Sequence, residues 1–155
     1  MILASCATKK PKKIRKNIDK RVLPYVKRFE LIYGKQISPD ITIRIDHIPD
    51  SRRAAGVCNI KRKSIILATH HWNRKSKLMR WELVLHELGH CELGRNHVFY
   101  DEYRFWKQKR CEPSIMGRKG ASEECFKKHY DYYINELFNG CKKLKLGRQK
   151  WIFKK

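Results

Sequence analysis

A chain of 155 residues suffices for one domain with a substantial core and is too short for two full ones. Hydrophobic residues at 41% and aromatics at 11% exclude a wholly disordered polymer, even with 37 basic against 15 acidic residues and a net charge of +22. No apolar run approaches the length of a spanning helix, and there are no internal repeats or Gly/Ser linkers.

Residues 1–13 read as a basic N-terminal segment. Within it Leu3-Ala4-Ser5-Cys6 resembles a bacterial lipobox, which would make Cys6 a lipidated residue, although only five residues precede it and a signal peptide needs more. If a signal lies upstream, the cell envelope or secretion is favoured; otherwise the cytoplasm is. Residues 14–140 read as the folded domain. From 14 to 33, Ile14, Ile18, Val22, Tyr25 or Val26, Phe29 and Tyr33 recur at helical spacing, with Pro24 as a kink or restart and Gly34 as the stop. Ile41 to Asp46 alternates with period two, as a strand does, and Pro49 with Asp50-Ser51 marks a loop. Gly56 to Ile60 and Ser64 to Thr69 read as two further strands joined by a turn at Lys61-Arg62-Lys63. His70 and His71, just beyond, are expected at the surface.

A helix follows with apolar residues on two flanks. Leu78, Trp81, Leu85 and Leu88 form one stripe, and Met79, Leu83, His86, His90 and Leu93 another, so both sides call for burial. Such a helix belongs mid-domain, with one side on a core and the other opening on a cleft.

Residues 86 to 97 run H-E-L-G-H-C-E-L-G-R-N-H. His86 and His90, four apart, point the same way from successive helical turns and can grip one metal ion. Gly94 is free to take positive φ and swing the chain back, which brings His97 in as a third ligand. Three neutral imidazoles suit one catalytic Zn2+ and leave its fourth position open for water, whose proton Glu87 would take as general base. Pro113-Ser114-Ile115-Met116-Gly117 comes about twenty residues on.

Together these residues resemble the metzincin clan of zinc metallopeptidases, whose signature is H-E-x-x-H-x-x-G-x-x-H followed by a Met-turn, and Ser114-Ile115-Met116 is similar to the turn of astacin-type members. The likeness is tight over about residues 78 to 117 and leaves the subfamily unassigned. Val98 stands where astacin-type enzymes carry Glu, and Arg118 stands where several members carry a Tyr that assists at the metal; Tyr100 and Tyr103 are better read as packing or surface residues. The resemblance implies an α+β zincin domain: a small mixed sheet with an N-terminal helix, an active-site helix and, after the Met-turn, a C-terminal helix. It implies peptide-bond hydrolysis in a protein or peptide substrate, with Met116 as an apolar floor beneath the imidazoles. By the same analogy Ile65, Ile66, Leu67 and Ala68 would form an edge strand that holds an extended substrate; the alternative is an interior strand of ordinary core.

Residues 122 to 138 read as the closing helix, with Cys125, Tyr132 or Tyr133 and Leu137 inward. The six cysteines, at 6, 58, 91, 111, 125 and 141, contain no C-x-x-C pair, and Cys91 is expected as a small packed thiol. Residues 141–155 form a basic C-terminal tail with Trp151 and Phe153. Lys9 to Lys20 and Lys142 to Lys155 carry seven bases each. These arms fit three uses: solubility, attraction to nucleic acid or an anionic membrane surface, or a preference for acidic substrates. The rival to a peptidase is therefore a nucleic-acid-associated basic protein with an accessory or vestigial zinc site. A monomer is expected in either case.

Overall fold

The computed structural model describes residues 17–49, 54–98 and 111–139. Cys6, both basic end segments, Tyr100 and Tyr103 lie outside the described residues, as do residues 14 to 16 of the expected first helix. Within the described residues the chain is a small mixed α+β structure of five helices and three strands: α1 (Leu23–Tyr33), β1 (Thr42–Asp46), β2 (Gly56–Asn59), β3 (Ser64–Ala68), α2 (Thr69–Arg74), α3 (Lys77–Cys91), α4 (Glu123–Lys128) and α5 (Tyr130–Asn139). No described helix is long and apolar enough to cross a membrane.

Pro24 starts α1 rather than kinking it, since a proline in the first turn gives up a donor that would have no partner there. The residues before it run alongside β1 instead. Ile18 bridges Ile43 in parallel, and the Asp19 N–H donates to the Ile43 carbonyl at 2.9 Å. Gly34, at φ 76°, ends the helix as its position suggests.

The strand order is β1-β3-β2, with β3 parallel to β1 and antiparallel to β2. This corrects the expectation for Ile65, Ile66, Leu67 and Ala68. They lie on the central strand of the three, where Ile65 pairs with both Ile43 and Cys58, so their backbone groups are taken on both sides. Ile65 and Leu67 face the core at 2% and 0% exposure. The edge strand beside the zinc-motif helix is β2. The 61–63 turn between β2 and β3 forms where expected, with Lys63 at φ 48°.

One core joins Val26 and Phe29 of α1, Ile43 and Ile65 of the sheet, Trp81, Leu85 and Leu88 of α3, and Phe126, Tyr133 and Leu137 of the last two helices. Helix α3 runs through its middle, with ten of its residues buried. Full burial of Leu85 and Leu88 contributes about 1.5–3 kcal/mol apiece. Ser76 caps its start by accepting from the Met79 N–H at 3.2 Å. The expected closing helix is two: α4 ends at Lys128, and α5 begins at Tyr130 after His129 leaves helical geometry at φ −119°, ψ 33°.

Two disulfides correct the reading of Cys91 as a packed thiol. Cys91 is bonded to Cys58, so the end of α3 is stapled to the edge strand, and Cys111 is bonded to Cys125. Spacing alone carried no sign of either pairing, because each partner sits on a different element.

Candidate metal centre

His86 and His90 project from one face of α3, and the chain beyond Cys91 folds back to bring in His97. Gly94 makes that return at φ 65°, and the Arg95 N–H donates to the Gly89 carbonyl at 2.9 Å. The three Nε2 atoms converge. His86 and His90 are 3.2 Å apart, His90 and His97 3.2 Å, and His86 and His97 3.3 Å. Three nitrogens bound tetrahedrally to one ion at about 2.0–2.1 Å stand about 3.3 Å from one another. The triangle thus has the size of a metal site, and the three residues could hold an ion.

Tautomers sharpen the point. Nδ1 of His86 lies 2.5 Å from the Ile115 carbonyl oxygen, and Nδ1 of His90 lies 2.6 Å from that of Arg95. A carbonyl only accepts, so both Nδ1 atoms carry the proton and both Nε2 atoms present lone pairs to each other. Two lone pairs at 3.2 Å repel unless a cation lies between them. Burial holds His86 neutral, its pKa pulled down to about 4 against the support of the Ile115 carbonyl. His90 and His97 are lowered for the same first reason, with the Arg95 charge adding to it at His90, and those of His90 and Arg118 at His97. All three rings are ready for a metal at neutral pH.

The Met-turn supports two of the ligands. Ile115 orients His86, and the Val98 N–H, next to His97, donates to the Met116 carbonyl at 2.9 Å while Val98 bridges Gly117. Met116 is fully buried, and its sulfur lies only 2.5 Å from where a Cβ on Gly89 would sit, between the two helical ligands. Ser114 explains the first letter of the turn. Its hydroxyl accepts from the Met116 N–H at 3.0 Å and donates to Glu136 Oε2 at 2.7 Å.

Glu136, on α5, was not singled out by sequence. It is 6% exposed and pairs at 2.5 Å with Arg95, whose carbonyl orients His90 and whose guanidinium also donates to the carbonyls of Glu136 and Leu137. One buried carboxylate thereby ties the His90 loop to the Met-turn. No motif spacing links Arg95 to a residue 41 positions away.

The rings open on a cleft of about 680 Å³. Along one wall runs β2 with its flanks, from Ala54 to Cys58 and Ile60. Leu83, Glu82 and Glu87 of α3 line the cleft with the histidines, as do Arg118 to Gly120, which follow the 114–117 turn. Glu87 is 3% exposed, and burial, then the neighbouring Glu82, push its pKa up to about 8 against the pull of the Cys58 amide. Its carboxylate packs on Gly56, where an added Cβ would meet Oε1 at 2.6 Å. Glu82, equally buried, accepts from the Ala121 N–H at 3.0 Å and is raised to about 7, chiefly by burial. Sequence periodicity had placed neither Glu82 nor Gly56 in the site; a buried acid four residues before the first His was the available signal. His70 is exposed as expected, whereas His71 lines the cleft apart from the metal group.

The chain matches no known family model, no curated protein and no solved structure. The functional reading therefore stands on the geometry.

Proposed function

We propose that this chain is a small zinc-dependent endopeptidase of metzincin type. The observation that carries the reading is the convergence of the His86, His90 and His97 Nε2 atoms to 3.2–3.3 Å in a cleft that also holds the carboxylate of Glu87. Three neutral imidazoles without a thiolate suit zinc, and His86, His90 and His97 would hold it at the cleft. Bound there, zinc supplies Lewis-acid polarisation of the scissile carbonyl and of the attacking water. Glu87 accepts the water's proton on its carboxylate and delivers it to the leaving amine. Met116 and the Ile115 and Arg95 carbonyls keep the rings fixed, which limits reorganisation during the reaction.

The substrate lies extended along β2, the edge strand that walls the cleft. Strand addition there gives backbone pairing without regard to side chains, while alternate side chains point across the cleft. The staple from Cys58 to Cys91 holds this wall at a fixed distance from the ligand helix.

The test is direct. Glu87→Gln should keep one zinc per chain and lose at least about a hundredfold in cleavage of a peptide library. His97→Ala should lose the metal. Normal cleavage by the Gln variant overturns the general-base role, and absence of any chelator-sensitive cleavage by the parent protein overturns the peptidase reading.

A further inference from the structure

The charges around the cleft are sorted by depth. Its two acids, Glu82 and Glu87, are buried in the floor at 3% exposure each, one occupied by the Ala121 amide and the other packed on Gly56. Its cations are higher. Arg118 and Lys119 are exposed, and Lys75 is half-buried in the turn between α2 and α3. Gly120 packs against the Glu82 carboxylate, and Lys75 is close enough to Glu82 to act on it, so Lys75 and Lys119 share one end of the cleft. Arg118 lines the same cleft as His97. Among the described residues, the lining from Ala54 to Cys58 and at Ile60 is uncharged.

We propose that the cleft selects acidic peptides: a chain bound in it meets Arg118, Lys119 and Lys75 among the lining residues, so Asp or Glu is preferred beside the scissile bond. This rests on the peptidase reading for the word scissile; the recognition of an acidic extended peptide does not. A second cation beside an anionic side chain in a partly enclosed cleft favours encounter and register more than bulk affinity. The excess positive charge of the whole chain is a competing explanation, and a matched control separates the two.

The zinc-loaded protein is given a proteome-derived peptide library, and a fluorescent acidic peptide and its Lys-substituted twin are titrated onto the zinc-loaded Glu87→Gln variant at 150 mM salt, roughly one Debye length of 8 Å. Expected is enrichment of Asp or Glu at the residues flanking the cut, and preferential binding of the acidic peptide. Arg118→Glu should reduce both by about tenfold, while Lys27→Glu, an exposed change on α1 of the same net charge, leaves both intact. Equal loss in the two variants, or no acidic preference in either assay, overturns the proposal. Acidic-peptide binding that Arg118→Glu abolishes, with no peptide cut by the parent, upholds the recognition and counts against the peptidase reading alone.

Discussion

Gly56 of β2 packs against the ligand helix and Gly89 lies within it, and a methyl group at each meets a different obstacle. At Gly89 the added carbon would lie 2.5 Å from Met116 Sδ and 3.1 Å from Leu137 Cδ1, inside a packed core with no room to yield. At Gly56 the three nearest atoms all belong to the buried Glu87 side chain, Oε1 at 2.6 Å and Cδ and Cγ at 2.9 Å. Gly89→Ala is therefore expected to cost about 1–3 kcal/mol of stability through overpacking. Gly56→Ala should displace the Glu87 side chain at a smaller cost in stability and leave zinc content intact, yet, if Glu87 is the general base proposed above, lower turnover about tenfold or more. Thermal melts beside peptide cleavage rates check both, and a Gly56→Ala protein with full activity would show that the Glu87 position is not set by this contact.

At the scale of elements, the site is held by connections between segments distant in sequence. Glu136 of α5 links Arg95 to Ser114 and so couples the His90 carbonyl contact to the Met-turn. Glu136→Gln should weaken zinc binding by about ten- to a hundredfold, as loss of an orienting contact does, and destabilise the fold by about 3–5 kcal/mol because Arg95 stays charged and buried. Replacing the pair together, Arg95→Met with Glu136→Leu, should recover stability while zinc affinity stays low. Chelator competition and urea unfolding give the two readouts; recovered affinity in the double variant would reduce the pair to a packing element. These links explain what could be read from the chain and what could not. His86, His90, His97 and Gly94 were legible because helical pitch and a single turn fix their spacing locally, whereas Met116 was legible only through the resemblance of its turn to a family motif. The substrate edge was misplaced on Ile65 to Ala68 because pairing order is set by a crossover: β3 inserts between β1 and β2, which sequence order does not show. Glu82, Glu136 and the Cys58–Cys91 bond were hidden for the same reason, each depending on a partner brought in by tertiary packing.

Across the whole molecule, covalent and ionisable groups oppose each other around the metal centre. The disulfides close loops of 33 and 14 residues, and chain entropy assigns them about 4 and 3 kcal/mol, a stabilisation that requires an oxidising compartment. Against it stand groups buried near the cleft. Without metal, His86 titrates near 4 when folded against 6.5 unfolded, so stability is lost as pH falls through that window. Glu82 and Glu87 are raised from 4.5 to about 7 and about 8, so each favours the fold while protonated and loses that contribution as pH rises from 4.5 toward its folded value. Below pH 6.5 His86 opposes the two acids, one proton against two, and offsets about half of their slope. From pH 6.5 to 8 only the acids act, and at 1.36 kcal/mol per unit the metal-free protein should lose about 3 kcal/mol. A cation on the flanking histidines favours the Glu87 carboxylate and should remove most of this slope. Urea unfolding at pH 6.5 and 8, with chelator and with zinc, measures it. Glu87→Gln should flatten the metal-free limb, because an amide has no proton to lose, and a limb that stayed equally steep in Glu82→Gln/Glu87→Gln would assign it to groups outside the cleft.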